Sequence, residues 1–195
     1  MKKLAFFGLG NPGPQYAFTR HNAGFLTIDR YLRYNSMYLQ KEEQKKNYST
    51  YQLYKNNVRL YLIKPMTYMN LSGIAVKEFC IKNGIAIDDI FIIFDDVSLP
   101  MGKIRLRLSG SDGGQKGMRS IMQEMNTDSV KRIKIGIGPK DIPSLPDFVL
   151  SKFKTEEQDK LEWALEKAVA VIDDLIEKDF SKILNIYNGL SADGD

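Results

Sequence analysis

Two hydrophobic rhythms divide the chain. Continuous apolar runs at 3–8 and 90–94, the first ending in Gly8 and the second in Asp95-Asp96, predict buried strands. Apolar and polar residues alternate at 48–55 and 58–64, which flank Asn56-Asn57 and predict a hairpin closed by Pro65. They alternate again at 103–108, with Lys103, Arg105 and Arg107 on one face and Ile104, Leu106 and Leu108 on the other, and at 131–137, where Ile133, Ile135 and Ile137 point inward. Helical spacing recurs at 22–39, through Phe25, Ile28 and Leu32 with Tyr31 and Met37 nearby. At 67–83 it puts Met69, Leu71, Ile74, Ala75, Phe79 and Cys80 on one side, and Gly84 stops the helix. A glycine-rich turn at 110–114 leads into another helix near 116–125. Thr155-Glu156-Glu157-Gln158 reads as a capping box ahead of a long stripe of Leu161, Ala164, Leu165, Ala168, Ile172, Leu175 and Ile176. A short helix at 180–187 closes the series, with 41–47 a charged loop, a proline-punctuated segment after Pro139, and 191–195 a frayed tail.

Strands alternate with helices almost throughout, yet the hairpin demands antiparallel neighbours. Together they predict a single α/β domain over 1–195 of three αβα layers: a mixed, mostly parallel central sheet covered by helices on both faces. Ligands on such sheets bind beyond the carboxyl ends of the strands. Asn11 follows the first strand, 67–70 follows the hairpin and Asp95 ends the buried strand, so all three can meet His21 at that edge.

Composition narrows the classes. Hydrophobic residues at 43% and charged residues at 27% describe a globular protein, and no apolar run approaches the ~20 residues of a membrane span. Cys80 stands alone, which excludes an internal disulfide and fits a reducing compartment, so the cytoplasm is expected. One Cys and one His leave no ligand set for a structural zinc. The net charge of +4 says little, but its distribution says more. Eight basic residues stand against three acids over 103–134, and nine acids against three lysines over 155–179. A basic surface fits a polyanionic partner; two differently solvated faces account for the same counts.

The candidate chemistry gathers at the first strand end. Gly8-Leu9-Gly10-Asn11-Pro12-Gly13 matches GxGxxG, but Pro14 and the polar stretch through Arg20 delay the helix that a dinucleotide would need. The motif reads instead as a stiff loop presenting Asn11. His21, the only histidine, is a candidate general base, since its unperturbed pKa lies near neutrality; a cap or turn role is the commoner one for a lone His. Asp95 and Asp96 face opposite ways on a strand, so one carboxylate enters a pocket, which suits orienting His21 better than holding a divalent cation. A turn or capping role is the alternative for Asp95. No GxSxG elbow is present and Cys80 sits on an apolar face, so a His–Asp pair implies activation of water. Asn11 and Asn70 both donate and accept, which suits a peptide-like substrate or, equally, loop and cap service. Arg105, Arg107 and Lys134 form a stripe able to contact phosphates.

These residues resemble the bacterial-type peptidyl-tRNA hydrolase family. The matching motifs are Gly8-Leu9-Gly10-Asn11-Pro12-Gly13 with Tyr16, Thr19-Arg20-His21-Asn22-Ala23-Gly24, and Lys64-Pro65-Met66-Thr67-Tyr68-Met69-Asn70-Leu71-Ser72-Gly73. Asp95-Asp96 with Leu99-Pro100 and Gly102, Gly113-Gly114 with Gly117, and Gly136-Ile137-Gly138 complete the set, in order, over 1–187. The resemblance implies hydrolysis of the ester joining a peptide to the 3′ ribose of tRNA, recycling tRNA from prematurely released peptidyl-tRNA. It implies no metal or organic cofactor, and a monomer that meets the acceptor stem and 3′ end of its substrate. His21 would be the base, Asp95 its orienting partner, and Asn11 and Asn70 the groups that hold substrate and stabilise the transition state. Tyr16 and Met69 would line the peptide channel, Tyr68 would contact substrate, Arg105, Arg107 and Lys134 would clamp a terminal phosphate, and 139–155 would be a mobile lid. One departure stands out: Gln115-Lys116-Gly117 replaces the usual His-Asn-Gly, so that Lys116 either contacts phosphate or the developing oxyanion or marks a less active enzyme. A non-catalytic RNA-binding paralogue of the same fold is the alternative reading.

Overall fold

Among the described residues seven strands build one sheet: β1 (Lys2–Gly8), β2 (Leu39–Gln44), β3 (Tyr48–Lys55), β4 (Val58–Pro65), β5 (Ile90–Pro100), β6 (Ile104–Arg107) and β7 (Lys131–Gly138). Six α-helices accompany it among the described residues: α1 (Ala23–Tyr34), α2 (Ser72–Asn83), α3 (Lys116–Met125), α4 (Leu145–Val149), α5 (Gln158–Glu177) and α6 (Phe180–Asn188). The structure is a computed structural model describing residues 1–138 and 144–194. The first five residues of the expected lid and the last residue of the tail lie outside it.

The strands run in the order β2-β3-β4-β1-β5-β7-β6. β1 lies parallel to β4 and β5, and β5 parallel to β7, while β2, β3 and β6 are antiparallel to their neighbours. Alternation along the buried strands explains why two cores form. Leu4, Phe6, Phe91 and Ile93 enter the core shared with α1, α5 and α6; Ala5, Phe7, Ile92 and Phe94 enter the core shared with α2 and α3. The predicted mixed sheet covered on both faces is therefore what forms. The hairpin turn is as read: Asn56 and Asn57 take φ of 48° and 62°, the paired left-handed geometry of a tight two-residue turn.

Several local expectations fail for identifiable reasons. The charged loop at 41–47 is largely strand β2, paired antiparallel to β3. Its side chains are mostly exposed, so no buried face leaves a hydrophobic signal, and such charges are what keep an edge strand from pairing with other chains. The helix expected over 22–39 stops at Tyr34, where Asn35 donates its amide to the Tyr31 carbonyl at 3.1 Å, and Met37 is exposed. Leu71, Ile74 and Leu108 are exposed, because α2 turns Ala75, Val76 and Phe79 to the sheet and β6 ends at Arg107. β5 does not end at Asp95-Asp96 but continues to Pro100, with its pairing to β7 interrupted beyond Asp96.

The capping box starts one residue early: the Glu157 carboxylate accepts from the Lys154 N–H at 2.7 Å, and Gln158 begins α5. The described part of the tail is tied down rather than frayed, since the Ala192 N–H donates to the Gly102 carbonyl at 2.8 Å and Lys160 pairs with Asp193.

Candidate active site

His21 lies in a 3-10 turn, Arg20–Asn22, directly before α1. That turn reaches the ends of β1 and β5 only because Gly24 has no side chain: a Cβ there would lie 2.3 Å from the Ile93 carbonyl oxygen and from the Leu9 nitrogen. His21 Nδ1 consequently sits 2.7 Å from Asp95 Oδ2, with both residues buried. With Asp95 ionised the carboxylate only accepts, so the proton of this bond sits on Nδ1, and a neutral imidazole then carries its lone pair on Nε2.

Asn11 enters from the loop after β1. Asn22 clamps the Asn11 backbone, accepting from its N–H at 2.8 Å and donating to its carbonyl at 3.0 Å. The Asn11 Oδ1 accepts the Met69 N–H at 2.8 Å. A backbone N–H can only donate, so the amide orientation is determined and Nδ2 is left without a partner among the described residues. The α3 N-terminus closes the floor from the other side. Gly117 permits this, because a Cβ there would lie 2.5 Å from Met69 Sδ.

These residues open on a cavity of about 570 Å³. Asn11, His21, Asp95, Tyr68, Met69, Asn70 and Lys116 all line it, and α4 contributes Leu145, Pro146 and Val149. Arg20 fastens that helix to the site: its N–H donates to the Ser151 carbonyl at 3.0 Å, its guanidinium pairs with Glu157 at 2.7 Å, and it lies 4.4 Å from the Phe148 ring centroid. Cys80, by contrast, is buried in the α2 core and its thiol is pushed by burial up to about 12, so it offers no nucleophile.

Both aspartates line the cavity, against the expectation that only one would enter it, but the Asp96 carboxylate serves partners other than His21. It accepts from Ser98 Oγ at 2.6 Å and from Lys134 Nζ at 2.9 Å. Burial pushes its carboxyl up, but Ser98 and the Lys134 ammonium together hold it below the usual carboxylate range. The two aspartates thus serve different partners, and among the described residues no group of three or more acidic, His or Cys side chains is placed to hold a metal.

The basic residues divide. Arg105 and Arg107 are exposed on β6 and lie outside the cavity; Arg105 pairs in register with Lys134, so the two share a face and run outward from the Asp96 rim. Arg132 belongs to no surface: its buried guanidinium donates to the carbonyls of Gly110, Ser111 and Asp128 and holds the glycine turn. Tyr16 is half-buried and absent from the cavity wall; its carbonyl accepts from Thr19 instead. Sequence reasoning passed over Gln115 and Asn22, both buried, and Arg20. Gln115 donates Nε2–H to Asp95 Oδ1 at 3.1 Å; its sequence signals were its place just before a predicted helix start and the departure at Gln115-Lys116-Gly117, and neither pointed to Asp95.

Comparison with known proteins follows the same lines. The family model described as peptidyl-tRNA hydrolase matches residues 5–194. A peptidyl-tRNA hydrolase from Thermotoga sp. (strain RQ2) is 44% identical over 190 residues, which is 97% of this chain and 99% of that one. Another, from Exiguobacterium sibiricum, is 40% identical over 182 residues, covering 93% and 97%. The crystal structure of peptidyl-tRNA hydrolase from Acinetobacter baumannii matches with a TM-score of 0.89 at 30% identity, over 96% of this chain and 95% of that one.

Proposed function

The chain belongs to the peptidyl-tRNA hydrolase family, and from that premise we propose that it cleaves the ester between peptide and tRNA with a water activated by His21. The observation that carries this reading is the 2.7 Å approach of His21 Nδ1 to buried Asp95 in the cavity wall. Water attacks the ester carbonyl while Nε2 takes its proton, and Asp95 stabilises the imidazolium. The Asn11 Nδ2–H and the Asn70 amide donate to the carbonyl oxygen as charge develops there. Collapse of the tetrahedral species expels the 3′ ribose oxygen, which recovers the proton from His21; peptide acid and free tRNA leave.

The cavity's volume and mixed lining suit a peptide held against Met69, Tyr68 and the apolar side of α4. The described part of the 139–155 segment acts as a lid, since α4 forms one wall and hangs on Arg20. Lys116, exposed at the cavity rim, meets the phosphate nearest the ester, and the face carrying Arg105, Arg107 and Lys134 receives the acceptor stem. We read the protein as a monomer in the cytoplasm, the compartment that its lone free cysteine fits; none of its described helices is long and apolar enough to cross a membrane.

His21→Ala tests the reaction. Hydrolysis of an N-acetyl-aminoacyl-tRNA is expected to fall about 10²–10⁴-fold while tRNA binding persists. Near-normal turnover would end the assignment of His21 as base.

A further inference from the structure

Asp95 has two carboxylate oxygens, and the reaction as described uses one. Oδ2 faces His21; Oδ1, equally buried, accepts from Gln115 Nε2 at 3.1 Å. The other end of the same amide is also committed: Gln115 Oε1 accepts the Met118 N–H at 2.8 Å and caps α3. Because the backbone N–H can only donate and the carboxylate can only accept, this amide can sit only one way round. Its Nε2 additionally lies 3.2 Å from Met69 Sδ. Gln115 is thereby locked at both ends, with a helix N-terminus at one and the catalytic carboxylate at the other.

We propose that Gln115 is a positioning residue for hydrolysis: it fixes the plane of the Asp95 carboxylate so that Oδ2 alone meets His21, and so sets the imidazole tautomer. The proposal rests on the reading of His21 and Asp95 given above. Without the Gln115 donor, Oδ1 is a buried acceptor with nothing to receive, and the carboxylate rotates to share its oxygens. The imidazole then loses the single bond that keeps its proton on Nδ1. A small loss of orientation at the base costs up to about 10²-fold in rate. Gln115 acts through Asp95, so the cost falls on kcat and not on KM.

Three variants separate positioning from helix capping. Gln115→Glu keeps an oxygen for the Met118 N–H but replaces the donor toward Asp95 with a second carboxylate. Gln115→Leu removes both functions, and Gln115→His restores a ring N–H donor. Positioning predicts kcat in the order wild type and His, then Leu, then Glu, with KM steady across the set. Capping alone predicts that Glu matches wild type, since a carboxylate suits a helix N-terminus, and that Leu is worst in melting temperature.

The chain has a single histidine, so the ring nitrogens of His21 are read without overlap in a 15N spectrum of the intact protein. Positioning requires that the Leu and Glu variants, which keep His21 as the one histidine, move those resonances toward mixed tautomers. Unmoved resonances together with wild-type kcat in Gln115→Glu would overturn the proposal. The spectrum decides this even if the wild-type protein fails to hydrolyse peptidyl-tRNA, which would sink the reaction and leave the positioning intact.

Discussion

The cavity floor and the outer face of β6 use polar side chains in opposite ways. On the floor, His21, Asp95, Asn11 and Gln115 are buried, and their hydrogen bonds fix which atom faces which. On β6, Arg105 and Arg107 stand in solvent, and Arg107 reaches no farther than the neighbouring Leu106 carbonyl. The difference follows from the layers. The floor is closed by the N-terminal ends of α1 and α3, whereas β6 turns Ile104 and Leu106 into the core beside α5 and α6 and leaves its arginine face uncovered. Buried, matched groups supply orientation, which a reaction needs; exposed, unmatched cations supply attraction, which capture of a polyanion needs. Substitutions in the two places should therefore fail by different measurements.

The largest effect is expected on the floor. Asp95→Asn keeps the shape but offers His21 a donor or an acceptor, and the wrong tautomer follows; kcat should fall about 10²–10⁴-fold with KM little changed. Single-turnover hydrolysis measured beside tRNA binding checks this, and a parallel loss of binding would erase the contrast between the regions. On β6, Arg105→Ala with Arg107→Ala should leave kcat at saturation intact. The salt dependence of binding should flatten by roughly 0.7–0.9 in slope for each phosphate that is no longer neutralised. An unchanged slope would put the tRNA on another face. Lys116 lies between the two regions, and Lys116→Asn sharpens the division. If Lys116 neutralises a phosphate, the slope drops by about 0.7 with kcat within roughly threefold; a large gain in kcat would mean the lysine is a handicap on the floor instead.

The two regions also differed in how much the sequence disclosed. Long periodic segments and glycine-bounded motifs foretold the sheet, both helical layers and the meeting of His21, Asp95, Asn11 and Asn70, because burial imposes spacing and tight turns impose glycine. The family resemblance held across the chain. Residues whose role depends on a partner far along the chain stayed hidden. Nothing local to Gln115 reveals that Asp95 lies within reach, and nothing local to Arg132 reveals that its charge is spent on the 110–111 carbonyls. Charge counts overstated the basic face for that reason. β2 escaped because an exposed edge strand has no apolar face to betray it.

The smallest effect is expected where the regions join, at the Asp96–Lys134 pair. Lys134 shares the β6 face with Arg105, but its ammonium is held by Asp96 at the cavity rim. The Asp96 carboxyl lies below its ordinary range in the folded state, so its contribution to stability is present above the unfolded value near 3.9 and is lost as pH falls through the folded value. Lys134→Met should reduce stability at pH 7 by about 1 kcal/mol, as befits a partly exposed pair, and denaturant titrations should show that deficit shrinking in acid, where Asp96 is neutral in both proteins. Asp96→Asn reverses the logic on the binding side. It releases the Lys134 ammonium to the basic face, so tRNA binding should tighten and its salt slope steepen while kcat stays near wild type. A fall in kcat instead would show that Asp96 belongs to the floor, and the line between orientation and attraction would have to be drawn outside Lys134.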